Sequence, residues 1–221
     1  MNALTSFESG DVFDGSSITA NDGGTILLSN LTTLAEVDIT SNASIVSLPA
    51  LTSYSDLGSS YNTVTQAING GTLTLGGNNS LILSGEDIDI SASGANSTID
   101  MNALTSFESG DVFDGSSITA NDGGTILLSN LTTLAEVDIT SDASVLSLPA
   151  LTSYSDLGSS YSTVAQALDG GLLDLSNLIS IPDGTISFTA DGTNSIVDIS
   201  SLVDSFTNLE IDERNGGVVR R

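Results

Sequence analysis

Residues 1–61 recur at 101–161, displaced by 100 residues, with three differences: Asn42/Asp142, Ile45/Val145 and Val46/Leu146. A fixed period on this scale marks a chain of stacked units, each able to bury its apolar face only against its neighbours. The duplication also constrains chemistry. A catalytic constellation is one set of groups in one place, whereas nearly every side chain in the first half has a twin in the second.

A shorter pattern lies inside the block: Φ-x-Φ-x-x-Leu-x-x-Φ, with Φ apolar. Examples are Ile26-x-Leu28-x-x-Leu31-x-x-Leu34, Val46-x-Leu48-x-x-Leu51-x-x-Tyr54 and Ile99-x-Met101-x-x-Leu104-x-x-Phe107. A weaker copy reads Leu73-x-Leu75-x-x-Asn78-x-x-Leu81. The opening period-2 alternation is that of a strand with one buried face. A second alternating segment precedes most copies, as in Ile18/Ala20, Val37/Ile39, Ile88/Ile90 and Ile186/Phe188, and Gly/Asn/Asp turns such as Asn21-Asp22-Gly23-Gly24 separate the two.

Short strands joined by such corners make one coil of a β-solenoid. The expected fold is therefore all-β: a right-handed parallel β-helix, the hand taken from the general preference of parallel crossovers. Eight or nine coils at strand spacing give a rod about 40 Å long. One domain spans 1–221, as blocks 1–100 and 101–200 with a short C-terminal tail at 207–221. Segments 61–68 and 161–168 read as surface excursions, with room for one helical turn. A leucine-rich-repeat-like solenoid is the rival, on Leu34-x-x-Val37-x-Ile39-x-x-Asn42, but Asn42 becomes Asp142 in the twin. Met1 matches Met101, which sits inside Ile99-Asp100-Met101-Asn102, so the chain is expected to be a piece of a longer repeat protein.

The motif style, Gly-Gly-Thr-Ile-Leu-Leu-Ser-Asn-Leu-Thr-Thr-Leu at 23–34 followed by Ala-Ser-Ile-Val-Ser-Leu-Pro-Ala-Leu-Thr-Ser-Tyr at 43–54, resembles repeats of very large secreted or surface proteins of bacteria. Those are often adhesin-like. The resemblance covers Gly24 to Tyr54, Gly71 to Leu83, Gly124 to Tyr154 and Gly171 to Phe206. It implies a β-helix in an extracellular or cell-surface setting and names no ligand.

Charge narrows the function. The chain has 28 carboxylates against Arg214, Arg220 and Arg221, a formal charge of −25, and no Lys, His, Cys or Trp. Phosphate neutralisation needs cations, so nucleic acid is excluded as a partner, and anionic membrane surfaces with it. No apolar run reaches the roughly 20 residues of a membrane span. Without Cys there is neither a disulfide scaffold nor a thiolate metal site. The partners left are cations, neutral glycans, basic surfaces and another copy of the chain.

Paired carboxylates are the catalytic chemistry this composition permits, as in glycoside hydrolysis. Residues 1–213 hold no Arg or Lys to receive an acidic sugar, and Phe7, Tyr54, Phe107 and Tyr154 fall on the packed rung pattern. No enzyme is expected. Calcium suits the composition better, since hard cations want several oxygens from a compact turn. The candidates are Glu86, Asp87 and Asp89, and Asp11 and Asp14 with their twins Asp111 and Asp114. A charged turn that solubilises the rod and guards strand edges would look the same. Thr32, Thr52, Thr105, Thr132 and Thr152 form a ladder of the kind that could meet ice, broken at Ile179 and Val203. The functional expectation is a non-enzymatic structural or adhesin-type segment. Its alternatives are a glycan- or calcium-binding module on loops 8–16, 55–69 and 108–116, and a unit that stacks end to end into filaments.

Overall fold

A computed structural model describes residues 4–9, 16–58, 62–77, 80–110, 115–157, 162–203 and 209–221. Every regular element among them is a β-strand, and every pairing is parallel between consecutive coils. The protein is a parallel β-solenoid of about eight turns; the leucine-rich-repeat alternative is not needed.

The coils have three sides, and the first seven place a strand on each. Side A is a seven-stranded sheet running from Ser6–Glu8 to Ser153–Ser155. Side B has nine strands, from Ser16–Asn21 to Leu209–Arg214, each six residues long. Side C is a five-stranded sheet from Thr25–Leu27 to Thr125–Leu127, continued by a four-stranded sheet from Val145–Ser147 to Val218–Arg220. Strict alternation is why these segments choose strand: in Val37–Asn42, Val37, Ile39 and Ser41 are buried, and Asp38, Thr40 and Asn42 face out.

The repeated Leu turns the chain from side C to side A. Leu31, Leu51, Leu104, Leu131, Leu151 and Leu178 are all fully buried at that corner. Side A then carries a single inward column of Phe7, Leu34, Tyr54, Leu83, Phe107, Leu134 and Tyr154 in register. In the weak copy, Leu81 pairs with Leu104 and so fills the corner position, while Leu83 takes the central one. The ladder shifts there, between Leu81 and Ile82, to absorb the difference.

The corner from side B to side C is turned in every coil by one non-glycine residue in the left-handed region: Asp22, Ala43, Asn69, Asn96, Asp122, Ala143, Asp169, Asn194 and Asn215. Asn and Asp predominate because their short polar side chains tolerate that conformation. The residue closing the corner alternates between Gly and Ser: Gly24, Ser44, Gly71, Ser97, Gly124, Ser144, Gly171, Ser195, Gly217. A Cβ on Gly71, Gly124, Gly171 or Gly217 would collide with a carbonyl oxygen of the coil before it. The serines instead accept from the glycine corner before them, as in Gly24 N to Ser44 Oγ at 3.1 Å and Gly170 N to Ser195 Oγ at 2.9 Å.

Two expectations are corrected. Segments 61–68 and 161–168 are no excursions: Thr63–Ile68 and Thr163–Leu168 are central strands of side B. Their inward residues, Thr63, Thr65 and Ala67, are small or hydroxylated, so the apolar period was weak. The tail expected at 207–221 is a further coil from Leu209 on, pairing with Ile186–Asp191 and Ile196–Asp198.

Small inward residues at 63–67 leave room for the Tyr54 ring. Its hydroxyl donates to Val37 O at 2.8 Å and accepts from Thr65 Oγ1 at 2.9 Å. Backbone pairing between Val37–Asn42 and Thr63–Ile68 begins only at Ile39 and Thr65, and Asp38 Oδ1 accepts the Val64 N–H at 2.9 Å. The phenol thus fills a gap where two strands splay. Burial pushes both Tyr54 and Tyr154 far above the ordinary phenol range. In the twin, Tyr154 donates to Val137 O at 2.6 Å, but Thr65 is replaced by Ala165. Removing a buried hydroxyl strands its partners, at about 1 kcal/mol for each bond lost. Tyr54→Phe is therefore expected to cost about 2 kcal/mol and Tyr154→Phe about 1 kcal/mol in urea unfolding; equal losses would contradict this account.

Candidate functional site

The corner from side A to side B gathers carboxylates. Glu36 and Glu136 turn it in the left-handed conformation and are nearly buried, as are Asp56 and Asp156. Asp56 is held by its own loop: Thr63 Oγ1 donates to Oδ2 at 2.5 Å and Gly58 N to Oδ1 at 2.8 Å. A buried carboxylate bonded in this way braces the loop between two strands.

Glu86, Asp87 and Asp89 follow at the same corner and do not converge. The exposed Glu86 lays its carboxylate against Gly58 of the preceding coil, where an added Cβ would lie 3.0 Å from it. Asp87 is half-buried, and its carbonyl accepts from Thr63 N at 2.8 Å. Asp89 faces out from side B. Its Oδ2 accepts from Asn62 Nδ2 at 2.8 Å and its Oδ1 from Ser117 Oγ at 2.5 Å, tying the coil before to the coil after. Among the described residues no three acidic side chains are placed to hold a metal ion. Asp11, Asp14, Asp111 and Asp114 lie outside the described residues. The threonine ladder turns its hydroxyls to the rod: Thr32 Oγ1 donates to Thr5 O at 2.9 Å, Thr52 to Thr32 O at 3.1 Å and Thr132 to Thr105 O at 2.9 Å.

An open groove of about 560 Å³ lies on the outer face of side A. Its floor is the outward row of four coils, including Ile82, Ser106, Glu108, Thr133 and Ser153, and the exposed Leu157 stands at its rim. Small hydroxylated side chains on a flat sheet let an extended ligand approach the backbone closely. The groove meets the expected loop at 108–116 only at Glu108 and Gly110, no residue of 55–69 lines it, and its floor was missed in the sequence. Its only signal there is the run of outward Ser, Thr and Ala on alternate positions.

One acidic feature arises from the divergence of the two blocks. In the first, Asn42 Nδ2 donates to Asn21 Oδ1 at 3.2 Å and Asn69 Nδ2 to Asn42 Oδ1 at 2.9 Å, an amide ladder across three coils. In the second block these positions are Asn121, Asp142 and Asp169. Asp142 has no proton to donate when ionised, and the buried Asn121 Oδ1 has no partner among the described residues. Burial, then the charges of Asp169 and Asp122, raise Asp142 above the ordinary carboxylate range.

No family model, no curated protein and no solved structure matches this chain.

A carboxyl whose folded pKa is raised favours folding only while protonated, so its ionisation subtracts stability as pH rises through that pKa. Asp142→Asn, which restores the residue of the first block, is expected to raise Tm by about 1–2 °C at pH 7. The gain should vanish below the ordinary carboxylate range of about 4. Calorimetry at the two pH values checks it; a gain that persists in acid would contradict the charge argument.

Proposed function

We propose that this chain is a non-enzymatic structural segment of an extracellular, adhesin-type surface protein, a stalk that holds other parts at a distance. The observation that carries the reading is where the outward polar side chains are used. Asn42 bonds Asn21, Gln66 bonds Thr40, Ser117 bonds Asp89, Gln166 bonds Thr140 and Asn215 bonds Asp191, each across one coil boundary. Groups engaged in this way brace the rod along its axis. The charge of −25 supports an exposed, soluble rod, and the bacterial surface setting rests on the repeat style.

Polysaccharides incubated with the purified chain are expected to release no new reducing ends. Release abolished by Glu86→Gln or Asp89→Asn would overturn the reading.

The side A groove favours a second reading, a module for an extended neutral glycan, with Glu108 as a repellent to anionic ones. Calcium is its variant at the acidic corner. Under the stalk reading, calcium at millimolar level shifts Tm no more than sodium chloride of equal ionic strength, and chelator restores the starting value. Under the module reading, calcium gives a larger shift that sodium chloride cannot reproduce. Thermal melting by circular dichroism separates the two.

A further inference from the structure

The two ends of the rod differ in kind. In the last coil, Glu213 sits in register with Ala190, a core position in the coil before. Its carboxylate bends across the end instead, and Oε1 accepts the Val219 N–H at 2.8 Å. The neighbouring amides of that strand point back into the rod, as in Val218 N to Ser195 O at 2.9 Å. Amides alternate in direction along a parallel strand, so the Val219 N–H is one that a following coil would take. All three arginines lie in this coil, with Arg214 paired to Asp212 and Arg220 to Asp198 at 3.6 Å. A charge at a core register position that fills an edge hydrogen bond is a device against further strand addition.

The first coil carries no such device among its described residues, and the duplication shows what its face fits. Leu4 is 55% exposed where its twin Leu104 is fully covered. Phe7, Ile26 and Leu28 are half-exposed where Phe107, Ile126 and Leu128 are buried. What covers the twins is the coil built from Leu81–Gly85, Ile88–Ser93 and Thr98–Asp100. Polar groups repeat the contrast. Ser109 Oγ donates to Glu86 O at 2.6 Å and Ile88 N donates to Ser116 Oγ at 3.0 Å, and the first coil carries the same serines as Ser9 and Ser16. Glycine repeats it too. A Cβ on Gly124 would collide with Ala92 O, whereas on Gly24 the nearest atom would be Asn21 O at 3.0 Å, in its own coil. Gly24 is shaped for a carbonyl that its own coil does not supply.

We infer that the face formed by Leu4, Phe7, Ser16–Asn21 and Ile26 is a docking surface for one kind of partner: a solenoid coil presenting the residues of 81–100. The last coil of a second copy is the wrong partner, because Glu213 occupies its edge. The inference concerns the end surface alone and stands whether or not the rod is a stalk.

The test is a pair of chains carrying a copy of residues 62–100 ahead of Met1, which recreates the Asp100–Met101 junction. One copy is unaltered. The other carries Ile88→Asp and Ile90→Asp in the added segment only. With the unaltered copy, amide exchange across Ser16–Asn21 and Thr25–Leu27 slows on the order of tenfold or more and Tm rises. With the altered copy, both stay at the values of the original chain. No slowing with the unaltered copy, or equal slowing with both, would overturn the inference. Sedimentation of the original chain over a concentration series tests the choice of partner: it stays monomeric, and head-to-tail association through its last coil would overturn that choice.

Discussion

The constraint on which everything else depends is the parallel ladder between coils. A strand in this rod can satisfy only part of its backbone within its own coil's corners; the rest must come from the coil on either side. Hence residues at one position must be alike from coil to coil, since each is stacked on its equivalent. The inward columns of side A and side B are the result. Where the ladder fails, as at Val37 and Val64, side chains step in: the Tyr54 hydroxyl and the Asp38 carboxylate take over groups that a neighbour strand leaves unbonded.

Charge follows the same geometry. Acidic residues sit at corners or on outward positions, where water screens them, and where one is nearly buried it is bonded, as Asp56 is by Thr63 and Gly58. The stacking that aligns apolar residues also aligns carboxylates, which repel. The first block meets this at one position with Asn21, Asn42 and Asn69, whose amides both donate and accept. The second block has Asp142 there, and burial, reinforced by the charges of Asp169 and Asp122, raises its carboxyl.

Much of this fold was legible because solenoid order writes itself into sequence period. The Leu at the corner, the alternating strands and the turn residues are local signals, and most stand where their spacing placed them; the weak copy departs, with Leu81 at the corner and Leu83 on side A. Thr63–Ile68 was not legible, because its inward positions hold Thr and Ala to make room for Tyr54, a contact from another strand of the coil. The last coil was hidden because Glu213, a charge at a core position, breaks the apolar alternation there. The acidic triplet at 86–89 looked like one cluster in the sequence. Alternation and the corner send Glu86 towards the Gly58 loop and Asp89 onto side B, between Asn62 and Ser117.

The alternating Gly and Ser at the B-to-C corner mean that neighbouring coils are not interchangeable. A glycine corner fits beneath a carbonyl of the serine coil before it and donates to the serine of the coil after it. The smallest unit that can be inserted or deleted while keeping both contacts is a pair of coils. The 100-residue duplication contains four side-B strands, which is two such pairs. A rod of this design therefore has a parity: it lengthens in even steps, and an odd one would set like against like at a single seam.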